Sequence, residues 1–133
     1  MSYAIAYAAV LIVFGAIDAV WLSTMGPALY RPALGDILAP GLRIAPAIAF
    51  YLIYPIGVVV FAVLPALRAQ TPLTAATLAL LFGALAYATY DLTNYATLRN
   101  WTLQITVLDI GYGALASSIA ATMAYFAVRA IVR

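Results

Sequence analysis

One long apolar segment, at residues 73–97, reads LTAATLALLFGALAYATYDLTNYAT and carries a single charged side chain, Asp91. At about 1.5 Å of rise per residue, a helix of this length exceeds the roughly 30 Å of hydrocarbon that a membrane span must cross. Pro72 precedes the segment and Arg99 follows it closely. The segment therefore predicts a transmembrane helix, and the rest of the chain has the same character.

The composition of the whole chain extends this prediction. The 133 residues are 68% hydrophobic and 8% charged, and the mean hydropathy is +1.10. Soluble domains carry roughly 25% charged residues, which is about three times as many. The chain lacks the polar side chains that would cover a soluble domain, so the sequence predicts an integral membrane protein with several spans.

Four residue types that carry much of protein chemistry are missing, namely Cys, His, Lys and Glu. The side chains of this protein therefore cannot build a thiol redox centre, a Cys or His metal site, a haem held by histidine, a Schiff-base lysine or a Ser-His-Asp triad. No cofactor is expected. The six arginines are scattered and form no basic stripe, so no nucleic-acid partner is expected either.

Polar residues and prolines divide the chain into an all-α, four-transmembrane-helix bundle. The loops around Arg68 and Arg99 are short, so they must join antiparallel neighbours. The segment 25–43 is expected to end the first helix at Gly26 and Pro27 and to form a short interfacial helix, because prolines and leucines alternate in it. One membrane domain over residues 1–133 is expected, with helices at about 3–24, 44–67, 73–97 and 102–128.

The arginines leave the orientation tied, because three of the six lie on each side of the predicted bundle. Arg129 and Arg133, after the last span, have no acidic residue nearby in the sequence. This difference favours cytoplasmic termini.

Three of the four aspartates lie inside predicted spans at one common depth. By helical rise, Asp18, Asp91 and Asp109 each sit about 9–11 Å inside the same membrane face. An ionised aspartate that faces lipid costs about 2.5–3.5 kcal/mol at mid-helix, so the three side chains should point inwards. If they share a pocket without cations, mutual repulsion and desolvation should keep at least one of them protonated near neutral pH.

Helical spacing places aromatic and amide side chains beside these aspartates. Arginines before the second helix and after the third are expected at the same end of the bundle. The layer is either a set of structural contacts that lock the helices together or a ligand-binding pocket, and the two roles are compatible. The candidate ligand-binding residues are Asp18, Trp21, Tyr87, Asp91, Asn94, Asp109, Tyr112, Arg43 and Arg99.

Small residues recur at helical spacing on the third and fourth spans and allow close helix contact. Their expected role is packing within the bundle, and a homodimer face is the alternative. The residues are Ala75, Ala79 and Gly83 on the third span and Gly113, Ser117 and Ala121 on the fourth.

The string YATYDLTN at residues 87–94, together with DAVWL at residues 18–22 and with Asp109, Gly111 and Gly113, has a recognisable pattern. It resembles the signature of a bacterial family of small predicted membrane proteins of unknown function, and the resemblance covers nearly the whole chain. The resemblance implies four spans and a bacterial inner membrane, without an established activity. Tyr112 stands where many members carry Trp, so an aromatic ring is kept.

Three functions follow from these features. The leading hypothesis is a non-enzymatic bundle that binds or passes a small polar or cationic solute, or a proton, at the aspartate layer. The first alternative is a membrane enzyme, or enzyme subunit, that acts on lipids with Mg²⁺ held by the aspartates and phosphate contacted by arginines. The second alternative is an accessory subunit of a larger membrane complex.

Overall fold

A computed structural model describes residues 1–132 of the chain. Four long helices make up this part, and each is long and apolar enough to cross a membrane. The predicted all-α bundle of four transmembrane helices is thereby confirmed, and the protein is a multi-pass membrane protein. The helices are α1 at Ser2–Leu34, α2 at Ile44–Ala69, α3 at Pro72–Thr97 and α4 at Leu103–Ile131.

Helix α1 is longer than the sequence predicted, because Gly26 and Pro27 do not end it. The α-helical part Ser2–Met25 passes into a single π-helical turn, Gly26–Tyr30, and then into a last α-helical turn, Arg31–Leu34. Within the wider turn the N–H of Arg31 bonds to the carbonyl of Gly26. A π-helical turn of this kind changes the hydrogen-bonding register, so the helix continues past the proline.

The extension of α1 is held by tertiary packing. Leu29 and Leu34 are buried in a cluster with Trp101 and Ile105, at the beginning of α4. The expected interfacial helix is therefore replaced by a longer α1, and the remaining connection, residues 35–43, consists of turns and irregular chain. Burial of these apolar side chains stabilises a helix end that local sequence signals alone would stop.

Helix α2 also contains a π-helical turn, at Val59–Val63, one turn after the interior proline Pro55. Its last turn ends at Gln70, which has a left-handed backbone with φ of 58°. Thr71 then begins α3 by accepting a hydrogen bond from the N–H of Leu73, with Pro72 in the first helical position. This tight connection makes α2 and α3 antiparallel neighbours.

The predicted small-residue stripes pack against each other between α3 and α4. A methyl group added at Gly83 would lie 2.5 Å from the carbonyl oxygen of Gly113 and 2.7 Å from the hydroxyl of Ser117. The hydroxyl of Ser118 donates to the carbonyl of Ala76, at 2.9 Å. The two helices therefore approach so closely that their small residues are required, and these stripes serve packing within one chain.

The two ends of the bundle differ in polarity. The half nearer the chain termini has an apolar core of fully buried small side chains, including Ala6, Val10, Ala62, Val63 and Ala120. All three intramembrane aspartates lie in the other half and are buried. The bundle therefore has an apolar core in one half and buried aspartates in the other.

Candidate functional site

A cavity of about 760 Å³ occupies the polar end of the bundle. It lies among the second half of α1, the first half of α2, the second half of α3 and the first half of α4. Two aspartates, Asp18 and Asp109, form part of its wall together with eight aromatic rings. The rings belong to Trp21, Tyr30, Phe50, Tyr54, Tyr87, Tyr90, Trp101 and Tyr112.

Asp18 joins three helices through its carboxylate. The hydroxyl of Tyr112, on α4, donates to one carboxylate oxygen at 2.6 Å. The hydroxyl of Tyr51, on α2, donates to the other. The side chain is 6% exposed, so these two phenols replace most of the water that would otherwise solvate it.

Asp109 is held by a second tyrosine from the extended part of α1. The hydroxyl of Tyr30 donates to a carboxylate oxygen of Asp109. The same hydroxyl accepts a hydrogen bond from the indole N–H of Trp21 at 3.0 Å. This chain of contacts exists only because α1 continues past Pro27 and carries Tyr30 over the beginning of α4.

Asp91 differs from the other two aspartates. It is fully buried, at 0% exposure, and neither of its carboxylate oxygens has a hydrogen-bond partner among the described residues. It does not belong to the cavity wall. The carboxyl group of Asp109 lies beside it. Asp91 is therefore an unpaired acid behind the cavity.

The aromatic rings fix the shape of the cavity wall. Trp21 stacks on Tyr112, with ring centroids 4.3 Å apart and an interplanar angle of 13°. Tyr87 meets Tyr112 edge to face at 6.0 Å and meets Tyr54 in the same way at 6.2 Å. The hydroxyl of Tyr54 shares a hydrogen bond of 2.7 Å with Ser117. Because each ring is fixed by another ring or by a hydrogen bond, the wall is preorganised.

The structure places six of the nine candidate residues in the cavity wall. Asp91 lies behind the wall, next to Asp109. Arg43 and Arg99 lie outside the wall and are exposed, since they stand in the connections where water solvates a guanidinium at little cost. The six wall residues are Asp18, Trp21, Tyr87, Asn94, Asp109 and Tyr112.

The carboxylates are thus stabilised by tyrosines where the sequence suggested arginines, and Tyr30 and Tyr51 were missed. Tyr51 could have been found by the depth argument that grouped the aspartates, because it lies seven residues after the start of α2 at Ile44. That position is about 10 Å inside the same membrane face. Tyr30 gave no such signal, because it follows two residues, Gly26 and Pro27, that ordinarily end a helix.

No group of three or more acidic side chains that could hold a metal ion is found in the part of the chain that the structure describes. The three aspartates are divided between two sites: Asp18 bonds to Tyr51 and Tyr112, whereas Asp91 lies beside Asp109. The cavity therefore offers carboxylates, phenols, an amide and aromatic faces to a ligand.

Comparison with known proteins identifies one related group. The model of a family described as Predicted membrane protein (DUF2177) matches residues 3–126. No curated protein and no solved structure matches the chain.

Proposed function

The chain belongs to the DUF2177 family of predicted membrane proteins, and we propose that its cavity binds a small organic cation. The observation that carries the proposal is the pairing of two buried aspartates with eight aromatic rings in one cavity wall. Quaternary ammonium groups are recognised by aromatic faces combined with negative charge. The proposal narrows the polar or cationic solute expected from the sequence to this chemical class.

Charge is the first support for a cationic ligand. Asp18 and Asp109 are each 6% exposed, and both line the cavity. Arg31, Arg43 and Arg99 are exposed and outside the wall, and no cationic side chain of residues 1–132 lines the cavity. In a membrane interior the attraction between a bound cation and a carboxylate is screened far less than in water.

The aromatic wall is the second support. Trp21, Tyr87 and Tyr112 present fixed ring surfaces to the cavity, and Tyr30 and Tyr90 extend this surface towards the end of the bundle. A cation over such a ring gains about 0.5–2 kcal/mol, most when water is excluded. Alkylammonium groups are cheaper to dehydrate than a metal ion, so they match a wall that is largely apolar.

The apolar half of the bundle supports binding over passage. Ala6, Val10, Ala62 and Val63 are fully buried there, so the described conformation has no open path from the cavity to the other membrane face. Transport of the cation would require a rearrangement of the helices. We therefore propose that the cavity binds the cation without passing it across the membrane in this conformation.

Location and assembly are part of the proposal. We place the protein in a bacterial inner membrane with cytoplasmic termini, so that the cavity opens towards the opposite face. A homodimer would use a face other than the small-residue stripes, because those stripes already pack against each other. The lipid-facing helix surfaces are available for such contacts and for an accessory role in a larger complex.

Calorimetry of the purified protein in detergent micelles tests the ligand class. The two probes are choline and its uncharged carbon isostere, in which a tert-butyl group replaces trimethylammonium. Choline is expected to bind at least about tenfold more tightly than the isostere, since only choline carries the charge. Equal affinity for the two probes would contradict the proposal.

A pair of matched variants locates the site. Asp18→Asn removes one of the two carboxylates of the cavity wall and is expected to weaken choline binding at least about tenfold. Asp36→Asn removes an exposed aspartate in the connection between α1 and α2, outside the cavity wall, and should leave binding unchanged. Equal losses in the two variants would place the binding elsewhere. Circular dichroism of each variant checks that the helices are intact.

A further inference from the structure

We propose that Asp91 and Asp109 together hold one proton and release it through Asp109 when a cation occupies the cavity. This inference rests on the proposed function and adds a proton to it. The structural basis is the juxtaposition of a fully buried, unpartnered carboxyl group with a second carboxyl group that faces the ligand cavity.

Asp91 is buried where an ionised carboxylate is unfavourable. Both of its oxygens lack a hydrogen-bond partner among the described residues, and its exposure is 0%. An ionised carboxylate without water, a cation or a donor is strongly disfavoured in such surroundings. A proton shared with the neighbouring carboxyl group of Asp109 removes the unpaired charge and supplies the missing hydrogen bond.

Within the part of the chain that the structure describes, no cationic side chain acts on Asp91. The groups that face the pair are the phenols of Tyr30, from α1, and Tyr90, from α3. The hydroxyl of Tyr30 donates a hydrogen bond to Asp109, so the phenol already stabilises negative charge on that residue. One negative charge shared by the two carboxyl groups, and stabilised by the hydrogen bond from Tyr30, is therefore the state that these contacts favour before a cation enters.

The proton can leave the pair only on the side that faces the cavity. Asp91 does not belong to the cavity wall, whereas Asp109 does. A cation that enters next to Asp109 favours the ionised form of both carboxyl groups. One O–H bond then breaks, the proton passes through Asp109 to water, and one positive charge replaces another. The net charge of the site is unchanged, which makes cation binding dependent on pH.

Calorimetry in two buffers counts the proton. Binding of choline to the protein in detergent is measured at one pH in phosphate and in MOPS, whose heats of protonation differ and neither of which carries a net positive charge. The wild type is expected to release close to a full proton for each choline bound. Asp91→Asn should still bind choline and release no proton, whereas the exposed control Asp36→Asn should release as much as the wild type.

The outcomes separate the two proposals. Choline binding without proton release in the wild type would overturn the proton site and leave the cation site standing. Equal proton release in Asp91→Asn would also overturn it. Failure of choline to bind would contradict the proposed function, and a measurement without ligand then decides the proton site.

That measurement is infrared spectroscopy of the protein without ligand, in H₂O and in D₂O. The proton shared by Asp91 and Asp109 is expected to give a carboxylic C=O band. This band should shift in D₂O and disappear in Asp91→Asn. If Asp91→Asn does not fold, Asp91→Leu, which also lacks the carboxyl group, replaces it in the comparison. A wild-type spectrum without this band would overturn the proposal whatever the result with choline.

Discussion

The hydroxyl of Tyr112 donates a hydrogen bond of 2.6 Å to Asp18, and this contact joins α4 to α1 at the wall of the cavity. The ring of Tyr112 also stacks on Trp21, which lies one helical turn after Asp18 on α1. A single tyrosine therefore fixes both the carboxylate and an aromatic face of the candidate site.

Removal of the Tyr112 hydroxyl tests the structural value of this bond. Tyr112→Phe keeps the stacked ring but leaves one oxygen of Asp18 without its donor, so we expect a loss of about 1–2 kcal/mol in the free energy of unfolding. The measurement is SDS-induced unfolding in mixed micelles, followed by circular dichroism. Tyr3→Phe is the control, because Tyr3 is exposed and near the other end of the bundle. A loss no larger than that of the control would show that the bond adds no net stability.

The close approach of α3 and α4 predicts a sharp contrast between two glycines on α4. A methyl group at Gly113 would overlap the ring of Tyr87, whereas nothing lies within 4 Å of the corresponding position at Gly111. Gly113→Ala should therefore destabilise the protein by about 1–3 kcal/mol. Gly111→Ala should be neutral or slightly stabilising, since Ala favours the helix. Similar unfolding midpoints for the two variants would contradict the described packing.

The hydrogen bond between Tyr54 and Ser117 gives a third prediction. It links Tyr54, which belongs to α2 and lines the cavity, to the buried Ser117 of α4. A double-mutant cycle with Tyr54→Phe and Ser117→Ala should give a coupling energy of about 0.6–1.7 kcal/mol in SDS-induced unfolding. Strictly additive effects would show that the two hydroxyl groups do not interact in the folded protein.

The extension of α1 beyond Pro27 depends on its packing against the beginning of α4. Leu34 is 3% exposed in that cluster, whereas Leu42 is 78% exposed in the connection to α2. Leu34→Ala should therefore increase hydrogen exchange of the amides in residues 28–34, while Leu42→Ala should leave their exchange unchanged. Unaltered protection in Leu34→Ala would mean that local sequence alone holds this turn.

The stacked indole at the cavity wall predicts an effect on ligand affinity. Trp21→Leu removes an aromatic face and should weaken choline binding about two- to thirtyfold, as expected from the range of cation–π energies. Phe61→Leu removes an exposed ring outside the cavity wall and should leave the dissociation constant unchanged. A dissociation constant that is the same for Trp21→Leu and the wild type would argue against ring recognition of the cation.

The depth of a side chain along its helix could be predicted well from the sequence. The direction in which it points around the helix axis could be predicted less well. Asp18 and Asp109 were grouped correctly because helical rise is constant, and the same arithmetic would have included Tyr51. Arg43 and Arg99 were assigned to the same site because they lie at the same end of the bundle. In the structure both side chains are exposed in the connections between helices. They stay exposed because removing a guanidinium from water is costly. The predicted ends of the helices do not show whether a side chain is buried or exposed.

The sequence by itself determined the four helices, their antiparallel order and the placement of the acidic layer at one end, because hydrophobicity and helical rise are local properties. Only the tertiary structure decided that Tyr30, Tyr51 and Tyr112 hold the carboxylates, that Asp91 stays unpaired beside Asp109, and that α1 passes through Pro27. These features depend on how each helix is rotated against its neighbours. That rotation is set by close packing between helices, such as the contact of Gly83 with Gly113, which no single helix specifies alone.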